Sequence, residues 1–465
     1  MPTERDEQRA RRRFAIALAA IAVVGLVGRI IYTLANQDLS IKSDGVHYGY
    51  AAGLLADGKG FINPLRLYTD GTPIPDATHP PGWTVILTLV TLAGFRSTLA
   101  YQMTAAVVGT LTIVMVGLAA REAFDRRIGL IAAGLACLYP GIWLYERELV
   151  SEPLGLLFVA TLIFLTYRFR NRPGPGWAIG LGVALGAAAL TRSEFIIVSL
   201  LVVTPVILGR RAFSIGRRLG WLAMAAVATV LVISPWFAYN QTRFSQPVPL
   251  SVGSGGTMQA GNCGPTYDGE LIGYYNFGCV ILVTGIDSDP SIADGQYRDR
   301  ATQFIKDHKG QFVKVAGIRI LRTFSLYDPL DQSTLEAERG SPLWVLNTAL
   351  FSFYVLVPFA VAGGIVARRR KVPLYPLLAF VLIAVLIVIP TIGAVRYRAS
   401  AEIALVILAA VGIDALVRWW QGRRSPGANG IEPDREPVTD TDPELVGTGG
   451  REPVPSAATG SGPAE

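Results

Sequence analysis

Histidine and cysteine are scarce, with three of each in 465 residues. So few soft ligands, and no Cys-x-x-Cys pair, exclude a dedicated zinc site and a disulfide-knit secreted scaffold. Charge is scarce as well. Asp, Glu, Lys and Arg make up 17% of the chain, against about 25% in soluble domains. Hydrophobic residues reach 51% and mean hydropathy is +0.40. A cytosolic enzyme and a disordered protein are both excluded, because a chain this apolar needs lipid around it. The sequence also lacks a Walker loop, a serine nucleophile elbow and any internal repeat.

What is present is a series of apolar stretches. Ten fall at about 14–35, 98–120, 128–145, 150–167, 177–190, 195–208, 219–238, 343–367, 372–395 and 399–417. Eight have roughly the 18–25 residues that cross about 30 Å of hydrocarbon. The two around 177–190 and 195–208 reach only about 21 Å each. An eleventh, 83–95, reaches about 20 Å, and whether it spans decides the side of everything after it. If it does not span, the clusters Arg121/Arg126/Arg127, Arg168/Arg170/Arg172, Arg210/Arg211/Arg217/Arg218 and Arg368–Lys371 all face the cytoplasm. If it spans, all of them face outward, against the positive-inside rule. We therefore read 83–95 as an interfacial helix following the Pro80-Pro81-Gly82 break.

The net charge of +7 is spent in these short clusters, which suits the inner loops of a membrane protein and not a nucleic-acid partner. The expected architecture is an all-α polytopic protein of the cytoplasmic membrane with about ten transmembrane helices. A basic cytoplasmic N-terminus covers 1–13 and leads into a retained first helix. A membrane domain covers 14–420, with outer loops at about 36–97 and 239–342. The tail 421–465, rich in Pro, Gly, Ser, Thr and acids, is predicted to be disordered and cytoplasmic.

This topology gathers unusual polar residues on the outer side: Asp44, His47, His79, Glu146, Arg147, Glu148, Glu152, Arg192, Glu194, Arg396 and Arg398. Ionisable groups near the membrane are costly unless they line a wet cavity, so convergence on one site is expected. Each also has a structural reading. Asp44 stands where a helix N-cap would, worth about 1 kcal/mol. Glu152 suits the positive end of a helix, and at i, i+4 it would share a face with Glu148. Arg192 either pairs with Glu194 or meets a buried anion in a turn recessed between two short helices. Arg396 and Arg398 either anchor a helix end or fit a phosphate head group with their planar forks. Cys263 and Cys279, both in the second outer loop, are a candidate disulfide, and Cys137 reads as a buried thiol.

The order of these segments resembles the GT-C membrane glycosyltransferases over about 14–420. It is closest to the branch of protein O-mannosyltransferases, lipid A aminoarabinose transferases and Rgt-type sugar transferases (PMT-like). The resemblance rests on Ser43-Asp44-Gly45-Val46-His47-Tyr48, Thr78-His79-Pro80-Pro81-Gly82, Ser151-Glu152-Pro153-Leu154, Thr191-Arg192 and Arg396-Tyr397-Arg398. It implies a sugar donor on a polyprenyl phosphate and a cell-envelope glycan, lipid or protein acceptor, with inversion at the anomeric carbon. It implies Asp44 as the base, Glu152, Glu148 and His79 as orienting groups, and Arg192, Arg396 and Arg398 on the phosphate. Many relatives carry a second acid after the first-loop aspartate, where this chain has Gly45. No cofactor is implied firmly, and the outer acids leave Mg2+ or Ca2+ open. The competing class is a transporter or flippase for a lipid-linked precursor, which predicts mid-membrane charge and repeat symmetry.

Overall fold

Caps and prolines set where the helices begin. The computed structural model describes residues 4–37, 39–42 and 44–424, so the tail beyond 424 lies outside the described residues. Among the described residues there is no strand, only an isolated bridge between Ile62 and Pro75. Helix α1 (Glu4–Ala35) carries the basic N-terminal residues and the first apolar stretch without a break. The first loop holds α2 (Asp44–Ala56), α3 (Pro64–Asp70) and α4 (Gly82–Leu92). At 11 residues, α4 is about 16 Å long and too short to span, as the charge pattern requires. It is pinned from both sides: the Gly82 N–H donates to the Leu190 carbonyl at 2.7 Å, and the buried Trp83 indole donates to the Leu149 carbonyl at 2.9 Å.

Helix α5 (Thr98–Ala123) is capped by Ser97, whose hydroxyl accepts from the Ala100 N–H at 3.2 Å. Helix α6 (Arg126–Leu138) is capped by Asp125, accepting from Ile128 at 2.9 Å. Such caps satisfy backbone donors that the helix itself leaves free. Ahead of Pro140 the chain bends by 71° into α7 (Pro140–Trp143) and a 3-10 turn, Leu144–Glu146. Helices α8 (Glu152–Asn171) and α9 (Pro175–Ala189) each place a proline in the first turn, where its missing N–H costs nothing. The stretch Ser193–Leu208 is broken into a 3-10 turn, a π turn and α10 (Thr204–Leu208). Helix α11 (Ile215–Asn240) leads to the second loop.

That loop is helical: α12 (Ser254–Gly261), α13 (Gly264–Tyr267), α14 (Gly278–Ile281), α15 (Pro290–Asp307), α16 (Lys309–Thr323) and α17 (Pro329–Ala337). A disulfide joins Cys263 and Cys279, tying the end of α12 to α14, while Cys137 is a half-buried free thiol. The chain returns through α18 (Leu343–Arg369), α19 (Tyr375–Val388) and α20 (Ala399–Arg424).

The expectation of ten spans needs correction. Among the described residues, six helices are long and apolar enough to cross a membrane, and the bent α6–α7 pair makes up to a seventh. All ten predicted stretches are helical, but α9, Ser193–Leu208 and α19 are shorter. For α19 the reason is local: Pro390 follows closely and has no N–H with which to continue the helical hydrogen-bond ladder. The core of the bundle is built from small residues. Ala119, Ala120, Ala132, Ala133, Val159 and Ala160 are fully buried where α5, α6 and α8 meet, which lets helix backbones approach closely. A buried ion pair, Arg29 with Glu146 at 2.8 Å, ties α1 to the turn after α7.

Candidate active site

Five segments converge where α2, the start of α8, the 395–398 turn, the 191–194 turn and the second loop meet. The close approach of α2 is fixed by Gly45: a Cβ there would collide with the Glu148 carbonyl. This position has no room for the second acid that relatives carry. Asp44, in the first turn of α2, accepts from Arg396 Nη1 through Oδ2 at 2.8 Å, and its Oδ1 lies 3.9 Å from His79 Nε2. Arg396 Nε lies 2.9 Å from Glu152 Oε1, and Arg192 Nη1 lies 2.7 Å from the same oxygen. Arg192 Nε donates to Glu194 at 2.6 Å. Acids and arginines thus alternate along one line: Asp44, Arg396, Glu152, Arg192, Glu194. The Tyr397 ring lies 5.9 Å from both guanidinium carbons, close enough for cation–π attraction.

This line borders a cavity of about 670 Å3 that Asp44, His79, Arg192, Arg339, Arg396 and Tyr397 line. Its far wall comes from α12 and from the disulfide-tied segment, through Thr257, Ala260 and Tyr275. The volume is in the range of small-molecule sites. Glu152 sits behind the arginines: its carboxylate is fully buried and borders only a small void beside them. The expected role for Glu152, orienting sugar hydroxyls, does not fit that placement. Its position instead fixes Arg192 and Arg396.

Two other expected residues are not brought to the cavity. Arg398 donates to Glu402 at 2.6 Å and to Ser325 at 3.0 Å, and stacks over Phe353. The reason is the 3-10 turn Val395–Arg398. With three residues per turn, positions two apart point in different directions, so Arg396 faces the cavity and Arg398 the helix core. Glu148 accepts from Ser341 at 2.5 Å and shares a separate small pocket with Glu336, Arg398 and Glu402. It does not share a helical face with Glu152, because Leu149 between them is left-handed (φ 59°) and α8 starts only at Glu152. Arg147 is likewise turned away, donating to the carbonyls of Asn36, Leu39 and Gly340.

Two features were not legible from motifs. Arg339, just before α18, lines the cavity with its Nε 3.9 Å from Glu336. Asp76 holds the turn leading to His79, accepting from the Thr78 N–H at 3.0 Å and pairing with His47 Nε2 at 3.0 Å.

Electrostatics assign protonation states. Burial works to raise the Asp44 pKa, but Arg396, His79 and Arg339 together hold it well below the usual carboxylate range. Burial pushes His79 down to about 4 despite its neighbour Asp44, so the ring is neutral at neutral pH. The cavity therefore offers the ionised Asp44 beside fixed guanidinium groups. Asp44 together with Glu152 does not fit a divalent cation. Asp44 and Glu152 already face arginines at contact distance, and a cation between them would meet those arginines first.

A family described as dolichyl-phosphate-mannose-protein mannosyltransferase matches residues 78–239. No curated protein matches the chain. Among solved structures, the chain is similar to the Archaeoglobus fulgidus oligosaccharyltransferase tethered to an acceptor peptide: TM-score 0.54, 15% identity, 89% of this chain and 51% of that one. The archaeal oligosaccharyltransferase AglB of the same organism, in complex with an inhibitory peptide and a dolichol-phosphate, aligns with TM-score 0.51 and 13% identity, over 90% of this chain and 52% of that one. ArnT from Cupriavidus metallidurans bound to undecaprenyl phosphate aligns at TM-score 0.41 and 15% identity, over 88% and 79%. The chain spans about half the length of the oligosaccharyltransferase structures it matches. The likeness to the two oligosaccharyltransferase structures establishes the fold alone, an all-α bundle with membrane-length helices.

Proposed function

We propose that the protein transfers a hexosyl or pentosyl group from a polyprenyl phosphate to an acceptor hydroxyl, with inversion, at the outer face of the cytoplasmic membrane. One observation carries this reading: Asp44 and Arg396, a carboxylate and a phosphate-fitting guanidinium, meet at 2.8 Å on the wall of a single cavity. The matching family takes a lipid-phosphate sugar donor by its description, which supports the same substrate class.

In this reading Asp44 accepts the proton of the acceptor hydroxyl as its oxygen bonds to the anomeric carbon. The bond from that carbon to the phosphate oxygen breaks on the opposite side. The negative charge that builds on the departing phosphate is stabilised by Arg396, Arg192 and Arg339, donors fixed before the reaction. Glu152 positions two of these arginines from below, and neutral His79 lies beside the carboxylate. The donor phosphate competes with Asp44 for Arg396, so its arrival frees the carboxylate to act as the stronger base. Charge supports this orientation: the clusters at Arg126/Arg127, Arg168/Arg170 and Arg368–Lys371 lie at the helix ends away from the cavity, as the positive-inside rule asks of an outward-facing cavity. A transporter is disfavoured because the charged line stays at one end of the bundle.

The test is mass spectrometry of lipid-linked sugars in membranes from a deletion strain and the same strain complemented. The reading requires one polyprenyl-phosphate sugar to accumulate in the deletion strain and be consumed on complementation. Unchanged lipid-linked sugars in both strains would overturn it.

A further inference from the structure

At the far end of the bundle lies a second charged site that the transfer reaction does not use. Asp414 sits about 15 residues into α20, about 23 Å along the helix from the cavity end. Its side chain is fully buried, yet three arginines from three elements converge on it. Arg127 of α6 approaches to 2.9 Å, Arg418 of α20 to 2.8 Å, and Arg370, at the end of α18, to 3.6 Å. Arg418 also lies 3.6 Å from Asp125, the cap of α6.

One buried carboxylate is matched by one guanidinium, and here it holds three. The three arginine side chains keep 41%, 36% and 49% of their surface exposed. Their outward N–H groups therefore face the surroundings, and even with Asp125 counted the cluster is net positive. Asp414 works as a pin that holds mutually repelling cations side by side. Such a preorganised set of forks matches the oxygens of a phosphate.

We infer that Arg127, Arg370 and Arg418 bind the phosphate head group of an anionic phospholipid in the leaflet opposite the cavity. Basic pockets between membrane helices recognise such head groups through charge and geometry together. The site is independent of the proposed transfer reaction, and so is its test.

The full-length protein is purified in detergent, stripped of lipid, and titrated with phosphatidylglycerol, with phosphatidylcholine and with inorganic phosphate. Thermal unfolding and lipid retention in native mass spectrometry are the readouts. Phosphatidylglycerol should stabilise the wild type and stay bound, while phosphatidylcholine and inorganic phosphate should not. The Arg370→Gln/Arg418→Gln variant keeps Arg127 on Asp414 and should bind phosphatidylglycerol about 10- to 30-fold more weakly. Arg210→Gln/Arg211→Gln removes equal charge elsewhere and should bind as the wild type does. Should the first variant fail to fold, Arg370→Lys/Arg418→Lys keeps the charge, loses the forks, and should bind several-fold more weakly. Equal loss in the Arg210/Arg211 variant, equal stabilisation by inorganic phosphate, or unchanged binding in the Arg370/Arg418 variants would overturn the inference.

Discussion

Replacing Asp44 with Asn separates two roles that one residue could hold. Asparagine caps a helix as well as aspartate does, so any capping contribution of about 1 kcal/mol survives the change. What disappears is the negative charge and the capacity to take a proton. Loss of a positioned general base costs about 100- to 10,000-fold in rate, or about 3–5 kcal/mol of barrier. Stability should change far less. Arg396 loses an ionised partner at 2.8 Å but keeps Glu152 at 2.9 Å, and the amide oxygen still accepts a hydrogen bond. The expected loss is about 1 kcal/mol, a fall of a few degrees in Tm. The assay is single-turnover transfer from the lipid-linked donor in proteoliposomes, read by mass spectrometry, alongside thermal unfolding of the same preparation. Turnover within about threefold of wild type, with Tm unchanged, would refute the argument, since a base worth so little falls below the range of general-base catalysis and capping alone would explain Asp44.

Three further outcomes follow from the same geometry. Gly45→Ala places a Cβ against the Glu148 carbonyl, and overpacking of this kind costs about 1–3 kcal/mol; thermal unfolding should show the loss, and an unchanged Tm would mean α2 shifts freely. Cys263→Ser with Cys279→Ser opens a loop of sequence separation 16, which should cost about 3 kcal/mol and raise protease sensitivity of the second loop before that of the membrane helices. The His47–Asp76 pair should impose a pH window on stability. Burial alone would lower His47, but Asp76 raises it above the usual 6.5, so its contribution is full below that value and fades as pH rises through the folded pKa. Asp76, despite its burial, is held down to about 2 by His47 and Thr78, so its contribution fades only in strong acid. His47→Gln should flatten the decline of Tm above neutral pH, and an identical slope in variant and wild type would remove the pair from the account.

The membrane character, the helix positions and the convergence of Asp44, His79, Arg192 and Arg396 were legible because they rest on long-range signals. Hydropathy marks helices over some 20 residues, and the bias of arginine clusters fixes which helix ends share a side. Neither signal depends on the path of the chain at a single residue. The misplaced residues all lie where that path is irregular. The i, i+4 spacing of Glu148 and Glu152 predicts one helical face, but Leu149 between them is left-handed. The spacing of Arg396 and Arg398 suggests a pair, but a 3-10 turn sends them apart. The span count failed at α19, where Pro390 stops the helix early, and at Ser193–Leu208, which changes helix type twice. Arg339 was missed because it follows a short loop helix with no motif around it.

These irregular points are not scattered. Leu149, the 193–197 turn and the 395–398 turn all adjoin the charged line from Asp44 to Glu194. A regular helix presents one side chain to a given point per turn, about 5.4 Å apart along its axis. Packing two arginines against one carboxylate oxygen within 3 Å needs side chains from separate segments that end at the same place. The breaks in helical geometry provide those ends. Local consistency between sequence and structure is therefore lost where the site is assembled: a helix start, two short turns and a left-handed residue meet at the charged line.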